Sequence, residues 1–199
     1  MPAVAPVPPR PAPPPQAEAG AFYWTREQYD RIVEAGVLGP DDKVELIDGQ
    51  IVSKIPQNRP HRVATTLVGQ ALRSVLGTGV FVQEEKPVAL SDLSEPEPDV
   101  AVVEGSPRDY DPHPGPASIL LLVEVADSSL LQDRVRKARA YATASIVEYW
   151  IVNLQDQTLE VHRDPAGGTY RTKTTHERGG AVSPVHAPGA SVAVADLLP

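Results

Sequence analysis

The sequence predicts a mixed α/β domain, of the α+β kind, built around a central sheet. Three observations point there. Short apolar runs of strand length (VELI, PDVAVV, ILLLVEV, VEYWIVN) are bounded by turn-formers. Three stretches with helical spacing of apolar residues are interspersed among them. One of these helices, at about 131–144, joins strands at 118–125 and 147–153. A helix in that place is the pattern of a right-handed crossover between parallel strands. With 199 residues and 41% hydrophobic content the chain can bury one proper core, and a second full domain is not expected. The predicted organisation is a Pro/Ala-rich tail over 1–20 and a single domain over 21–199.

The tail, MPAVAPVPPRPAPPPQAEAG, cannot be helix or sheet, because proline fixes φ and lacks an amide donor. It reads as an extended polyproline-II segment, and a ligand for a proline-binding module is the alternative. It has no long apolar core, so no secretory signal is expected. In WTREQYDRIVEAG, Thr25 and Gln28 form a capping box, Tyr29, Ile32 and Val33 an apolar face, and Gly36 a stop. KVELIDGQIVSKI reads as a hairpin turning at Asp48-Gly49. From about Pro60 to Leu76, Val63, Leu67, Val68, Ala71, Leu72 and Val75 recur at helical spacing. GVFVQEEKPVAL reads as a strand that Pro87 pushes to an edge or a bulge. PDVAVVE is a further strand, and GSPRDYDPHPGPA an exposed loop. Residues 118–125 then form a buried strand, after which Asp127, Ser128 or Ser129 caps the crossover helix. VEYWIVN with QTLEVHR makes a hairpin, YRTKTTHE adds a strand, and SVAVADLL a last short one. No internal repeat is present.

The absence of cysteine excludes disulfides and thiolate metal sites and suits a reducing compartment. Together with the lack of a signal, this makes a cytoplasmic location the expectation. No segment is apolar and long enough to span a membrane. The net charge of −8 argues against a generic basic nucleic-acid-binding surface. It leaves room for a nuclease, whose carboxylate site is acidic until a cation binds.

Glu124 poses the sharpest question. It interrupts the run ILLLVEV, which reads as a strand buried on both faces. An unpaired ionised carboxylate there is expensive, so a cation, a metal or an exposed strand end must compensate it. Asp99, opening PDVAVV, and Glu45, within VELI, are similarly placed. If the strands of Asp99 and Glu124 are neighbours, the two acids can converge on one hard cation, with the Val125 carbonyl as a further oxygen ligand. Each acid alone has a plain structural alternative: a salt-bridged strand residue for Glu45, a turn residue for Asp99. In the helix QDRVRKARAYA, Asp133, Lys137 and Tyr141 recur every four residues on one face. Val135, Ala138 and Ala142 mark another, expected to pack on the sheet. Lys137 can lean back over the end of the Glu124 strand, or simply pair with Asp133 on a surface helix.

The ordered set ELIDG, a lone His after a loop, PDVAVV, LLVEV with a DRxxKxxxY helix, and VEYWIVN resembles the Uma-two family of endonucleases, within the PD-(D/E)XK nuclease superfamily. It covers roughly residues 22–163. The resemblance implies a restriction-endonuclease-like fold, a central mixed β-sheet flanked by helices. It implies Asp99 and Glu124 as metal-binding acids and Glu45 as an extra acid. The superfamily lysine stands two residues after the second acid, and here that position is Ala126. The resemblance offers Lys137 as the relocated lysine, Gln83 as an accessory polar group and His61 as a contact to substrate or to the acids.

The activity so implied is Mg2+- or Mn2+-dependent hydrolysis of DNA phosphodiester bonds, with a homodimer as a further expectation. Arg134, Arg136 and Arg139 are the candidate phosphate contacts, and equally a solvated helix face. Two alternatives stay open. One is a non-catalytic nucleic-acid- or protein-binding module that retains the fold; the other is a metal-dependent hydrolase of a different phosphate substrate.

Overall fold

A computed structural model describes residues 21–39 and 41–199; the predicted 1–20 tail lies outside them. The chain opens with α1 (Arg26–Glu34), whose capping box forms as expected: Gln28 N donates to Thr25 Oγ1 at 3.2 Å and Thr25 N to Gln28 Oε1 at 3.0 Å. Such a cap is worth about 1 kcal/mol. Tyr29 faces inward, whereas Val33, expected on the same apolar face, is 44% exposed. The hairpin β1 (Val44–Ile47) and β2 (Gln50–Ser53) turns through Asp48 and Gly49, at φ 51° and 75°. Positive φ at both central residues is the requirement of a tight hairpin turn, which Asp-Gly meets.

Helix α2 (Arg59–Val75) follows, with Asn58 as N-cap accepting from His61 N at 3.0 Å. The strand expected over 79–90 is shorter. β3 (Val80–Glu84) stops where Glu85 turns to φ 51°, and a long loop whose Val88 and Leu90 are buried leads to β4 (Val100–Glu104). β5 (Ile119–Ala126) is the strand read from the apolar run. The crossover helix comes in three pieces: α3 (Leu130–Gln132), a π-helical turn over Asp133–Lys137, and α4 (Ala138–Thr143). Then come β6 (Glu148–Asn153), β7 (Thr158–Ala166) and β8 (Thr169–Glu177), and two short strands, β9 (Ala181–Val182) and β10 (Val192–Ala193).

Among the described residues, β3 to β8 form one six-stranded sheet in that order; β1–β2 and β9–β10 are separate two-stranded ribbons. Only the β5–β6 pairing is parallel within the large sheet, as the crossover predicts. Strand alternation splits the core in two. Val100, Val102, Leu121, Val123, Val125, Trp150 and Val152 pack on one side with α2 and the C-terminal segment. Ala101, Leu122, Ala126, Tyr149 and Ile151 pack on the other with α4 and the β1–β2 hairpin. Trp150 is thus core. Val135, expected on the packed face of the crossover helix, is 58% exposed, because the π turn rotates it away while Ala138 and Ala142 stay buried. No helix among the described residues is long and apolar enough to cross a membrane.

The β1–β2 hairpin is tied to the β3–β4 loop by the bridge of Leu46 to Glu95, with N–O distances of 2.8 and 3.4 Å, and by Gly49 N donating to Leu93 O and Asp48 N to Ser94 Oγ. The Glu95 side chain is buried there, and its Oε2 finds no hydrogen bond; Arg26 Nε stays 3.8 Å away. Burial, reinforced by Asp30, pushes the carboxyl up to about 7 against the pull of Arg26. A carboxyl raised in the folded state binds more protons there than when unfolded, so its ionisation weakens the fold as pH rises between the two values. Glu95→Gln is therefore expected to gain thermal stability over wild type progressively from about pH 5 to pH 8, a difference that melting curves across that range would measure.

Candidate active site

Period-two alternation sets the first contact of the site. Leu122 and Ala126 of β5 face the α4 side, so Glu124 between them faces it too. On β4, Ala101 faces the same side, which gives Asp99, two residues earlier, the same direction. The antiparallel register pairs Val100 with Val123, and continuing it by one step sets Asp99 opposite Glu124. The two acids expected to converge do so.

The cation over them comes from the crossover helix. Lys137 is buried, with Nζ 2.9 Å from Glu124 Oε1 and 3.4 Å from Glu45 Oε1. Tyr141, one turn on, donates its hydroxyl to the same Glu124 oxygen at 2.6 Å. Both bonds to Glu124 end on Oε1; neither uses Oε2. Lys137 does not take up the surface pairing with Asp133. Asp133 instead accepts from Ser129 Oγ at 2.6 Å and is itself buried. Glu45 arrives from the β1–β2 hairpin, with Oε2 accepting from Glu97 N at 2.9 Å. Arg136 and Arg139 hold that hairpin over the helix by bonding to Gln50 and Asp48, at its turn.

Asp99 is held from two further directions. Its Oδ2 accepts from Val125 N at 2.7 Å and lies 3.3 Å from His61 Nε2; Oδ1 is 3.4 Å from Gln57 Nε2. His61, on the first turn of α2, is buried and addresses an acid of the site directly. Gln83 does not reach the site: its side chain turns to Pro87 O at 3.5 Å. Arg134 also stays outside the cavity wall, locked on Glu160 by hydrogen bonds of 2.5–3.1 Å. The polar group Gln83 was expected to supply comes from Gln57, in an irregular loop with no sequence periodicity to betray it. Asp133 had a signal, its place on the Lys137 face. Asp127, at the strand end and bonded to Asn58 Nδ2, had only a capping one.

These residues line a cavity of about 40 Å3, room for a few waters. Its walls carry six carboxylates (Glu45, Glu97, Asp99, Glu124, Asp127, Asp133) against two lysines, Lys54 and Lys137, and His61. The imbalance shows in the protonation energies. Burial, with Asp99, Asp133 and Glu45 adding to it, raises the Glu124 carboxyl well above the ordinary range despite Lys137. Burial likewise carries Asp133 to about 6. Burial would also raise Asp99, but the His61 hydrogen bond and charge, Lys137 and the Val125 amide outweigh it and hold Asp99 low. Burial disfavours the Lys137 cation, yet Glu124, Glu45 and Asp133 raise its pKa. His61 is raised as well, the Asp99 carboxylate overcoming burial.

The donor set suits a hard divalent cation in chemistry and charge. Among the described residues, no three His, Cys, Asp or Glu side chains are gathered at ligand spacing. An ion between Asp99 and Glu124 would therefore draw on two carboxylates, a main-chain oxygen and water, the sparse protein coordination that magnesium favours.

Lys137→Ala would leave buried carboxylates facing each other with no cation between them. Removing one partner of a buried ion pair costs about 3–5 kcal/mol, and that loss is expected by chemical denaturation at pH 8. Because Glu124 and Asp133 have raised pKa values, lowering pH protonates them and relieves the repulsion, so the deficit should shrink toward pH 5.

Comparison with known proteins follows the same lines. No curated protein matches the chain. A solved structure with the same fold, titled "Crystal structure of a putative nuclease belonging to DUF820 from Anabaena variabilis ATCC 29413", superposes with a TM-score of 0.67 at 16% identity, covering 87% of this chain and 96% of that one. The sequence profile of the Uma2 family, described as "Putative restriction endonuclease", matches residues 26–195, nearly the whole chain. With that match, and with Glu45 of β1, Asp99 just before β4, Glu124 of β5 and the lysine of the crossover helix gathered in one cavity, the chain belongs to the Uma2 family.

Proposed function

We propose that this protein is a metal-dependent endonuclease that hydrolyses phosphodiester bonds of DNA, with its centre of the PD-(D/E)XK kind. The observation that carries the reading is the contact of Lys137 Nζ with Glu124 Oε1 at 2.9 Å, beside Asp99 in the same cavity. A helix-borne lysine stands where the superfamily's strand-borne one is missing at Ala126. Asp99, Glu124 and the Val125 carbonyl would hold the cation, Mg2+ or Mn2+. When bound, such an ion polarises a phosphoryl oxygen and makes water a better nucleophile at neutral pH.

The chain's own residues do the rest. The Val125 amide and His61 fix Asp99 and keep it ionised. Tyr141 fixes Glu124 through Oε1, so that Oε2 is left for a ligand. Lys137, cationic and shared between Glu124 and Glu45, is placed to orient the attacking water or to offset charge growing on the phosphate. Glu45 holds the lysine's other side and keeps the ammonium over the acids.

One observation favours a second reading. Lys137 already compensates Glu124 within the protein, which a non-catalytic module that retained the fold would also need.

Calorimetric titration with Mg2+ and Mn2+, alongside plasmid nicking in the same buffers, separates the two. The nuclease reading expects metal binding and metal-dependent nicking by wild type, and neither by Asp99→Ala/Glu124→Ala. Lys137→Met should keep metal binding and lose at least about a hundredfold in nicking rate, the scale of a removed electrostatic stabiliser. A folded wild type that neither binds metal nor nicks DNA would leave the binding module.

A further inference from the structure

Beside the small site cavity lies a larger cleft of about 730 Å3, between α1, the β1–β2 hairpin and the loop after β3. The two spaces share Lys54, Ile55, Pro56, Gln57 and Glu97, so the loop leaving β2 forms a lip common to both. The cleft's charge runs against that of the chain. Of its 14 lining residues four are basic, Lys43, Lys54, Arg62 and Lys86, and two acidic, Glu85 and Glu97, a net positive lining in a chain of net charge −8.

The basic groups are not equally engaged. Lys54 is neutralised by Glu97 at 2.7 Å. Arg62 spends Nη1 on Gln57 O at 3.0 Å. The exposed Lys43 and Lys86 ammonium groups take part in none of the ion pairs or hydrogen bonds among the described residues. Lys43 is held at φ 49°, and the residue before Lys86, Glu85, at φ 51°. Between these cations the wall is apolar: Val33 and Ile55 are 44% and 38% exposed, and Leu38 joins them.

Unpaired cations beside an exposed apolar wall suit an unstacked nucleic-acid strand, whose phosphates meet the ammonium groups while its base faces lose water against aliphatic side chains. The site cavity has room for a phosphate group's oxygens and little more; nucleotides next to it need a second space. We propose that the cleft holds, as a single strand, the nucleotides flanking the phosphate to be cut, with Lys43, Lys86 and Arg62 on their phosphates and Val33, Leu38 and Ile55 under their bases. The direction of the strand toward the site rests on the nuclease reading; the strand-binding surface itself does not.

The test is the salt dependence of binding of a labelled single-stranded DNA oligonucleotide, followed by fluorescence anisotropy in calcium buffer. Wild type is compared with Lys43→Gln/Lys86→Gln and with Lys173→Gln, a control on β8 at the opposite edge of the sheet. Each phosphate contact on a single strand contributes about 0.7 to the slope of log K against log salt. The double variant should therefore show a slope shallower by about 1.4, and the control none of that change. An unchanged slope, an equal change in the control, or no binding by wild type would overturn the proposal. So would binding of a duplex in place of the single strand. Cleavage of the same single-stranded oligonucleotide in Mg2+ buffer, run in parallel, tells the two readings apart. Cleavage with an unaltered slope sinks the cleft and spares the nuclease; the expected slope change without cleavage does the reverse.

Discussion

A lysine buried among carboxylates governs this structure. Taking even one ion of each sign out of water costs several kcal/mol per ion after relaxation, and their attraction repays it only with good geometry and further hydrogen bonds. Lys137 meets that condition by touching two acids from two different elements, Glu124 on β5 and Glu45 on β1, while Tyr141 donates to the same Glu124 oxygen and the Glu97 amide to the other oxygen of Glu45. The crossover helix, the central strand and the detached hairpin are thereby fixed to one another at one point. Each would expose an uncompensated buried charge if it moved away.

The hairpin shows the consequence. β1 and β2 pair with each other and stay outside the large sheet, so strand pairing cannot place them. Their position comes from Ile47 and Val52 against the α4 side, the Leu46–Glu95 bridge, the clasps from Arg136 and Arg139, and Glu45 on Lys137. Two of the arginines that sequence reasoning offered to phosphate thus serve the architecture, and Arg134 does the same with Glu160. Lys43 and Lys86, which have no ion pair or hydrogen bond among the described residues, lie on the far side of the lip that the hairpin leads into.

The π turn at Asp133–Lys137 belongs to the same constraint. An extra residue in one helical turn lengthens the backbone ring and re-aims the side chains that follow it. Here it turns Val135 out to solvent and puts Asp133 and Lys137 inside, with Tyr141 continuing the inward face one regular turn later. The acids end with unequal affinities for protons: Asp99 low, Asp133 at about 6, Glu124 well raised. That spread is what an excess of buried carboxylate produces around a single lysine, and a divalent cation would remove it.

Much of this was written in local patterns. The capping box at Thr25, the Asp-Gly turn, the buried run of β5 and the crossover helix each follow from short-range chemistry, and the structure keeps them. The anomaly of Glu124 was also legible, because an acid within an apolar strand violates a rule that holds within a few residues. Lys137 was legible as one candidate partner, from its place in the second turn after the Glu124 strand, but the chain alone left a surface pairing with Asp133 equally open. Other features needed the third dimension. β3 ends at Glu85 through a backbone turn that no periodicity announces. Val135 lies exposed because a π turn, invisible to a 3.6-residue count, intervenes. Gln57 stands where Gln83 was expected, since a loop residue has no period and its reach depends on where β2 leaves the hairpin. Alternation and turn chemistry act along the chain and can be read there. Which loop closes a cavity, and which arginine finds an acid first, is decided across it, by packing between elements far apart in sequence.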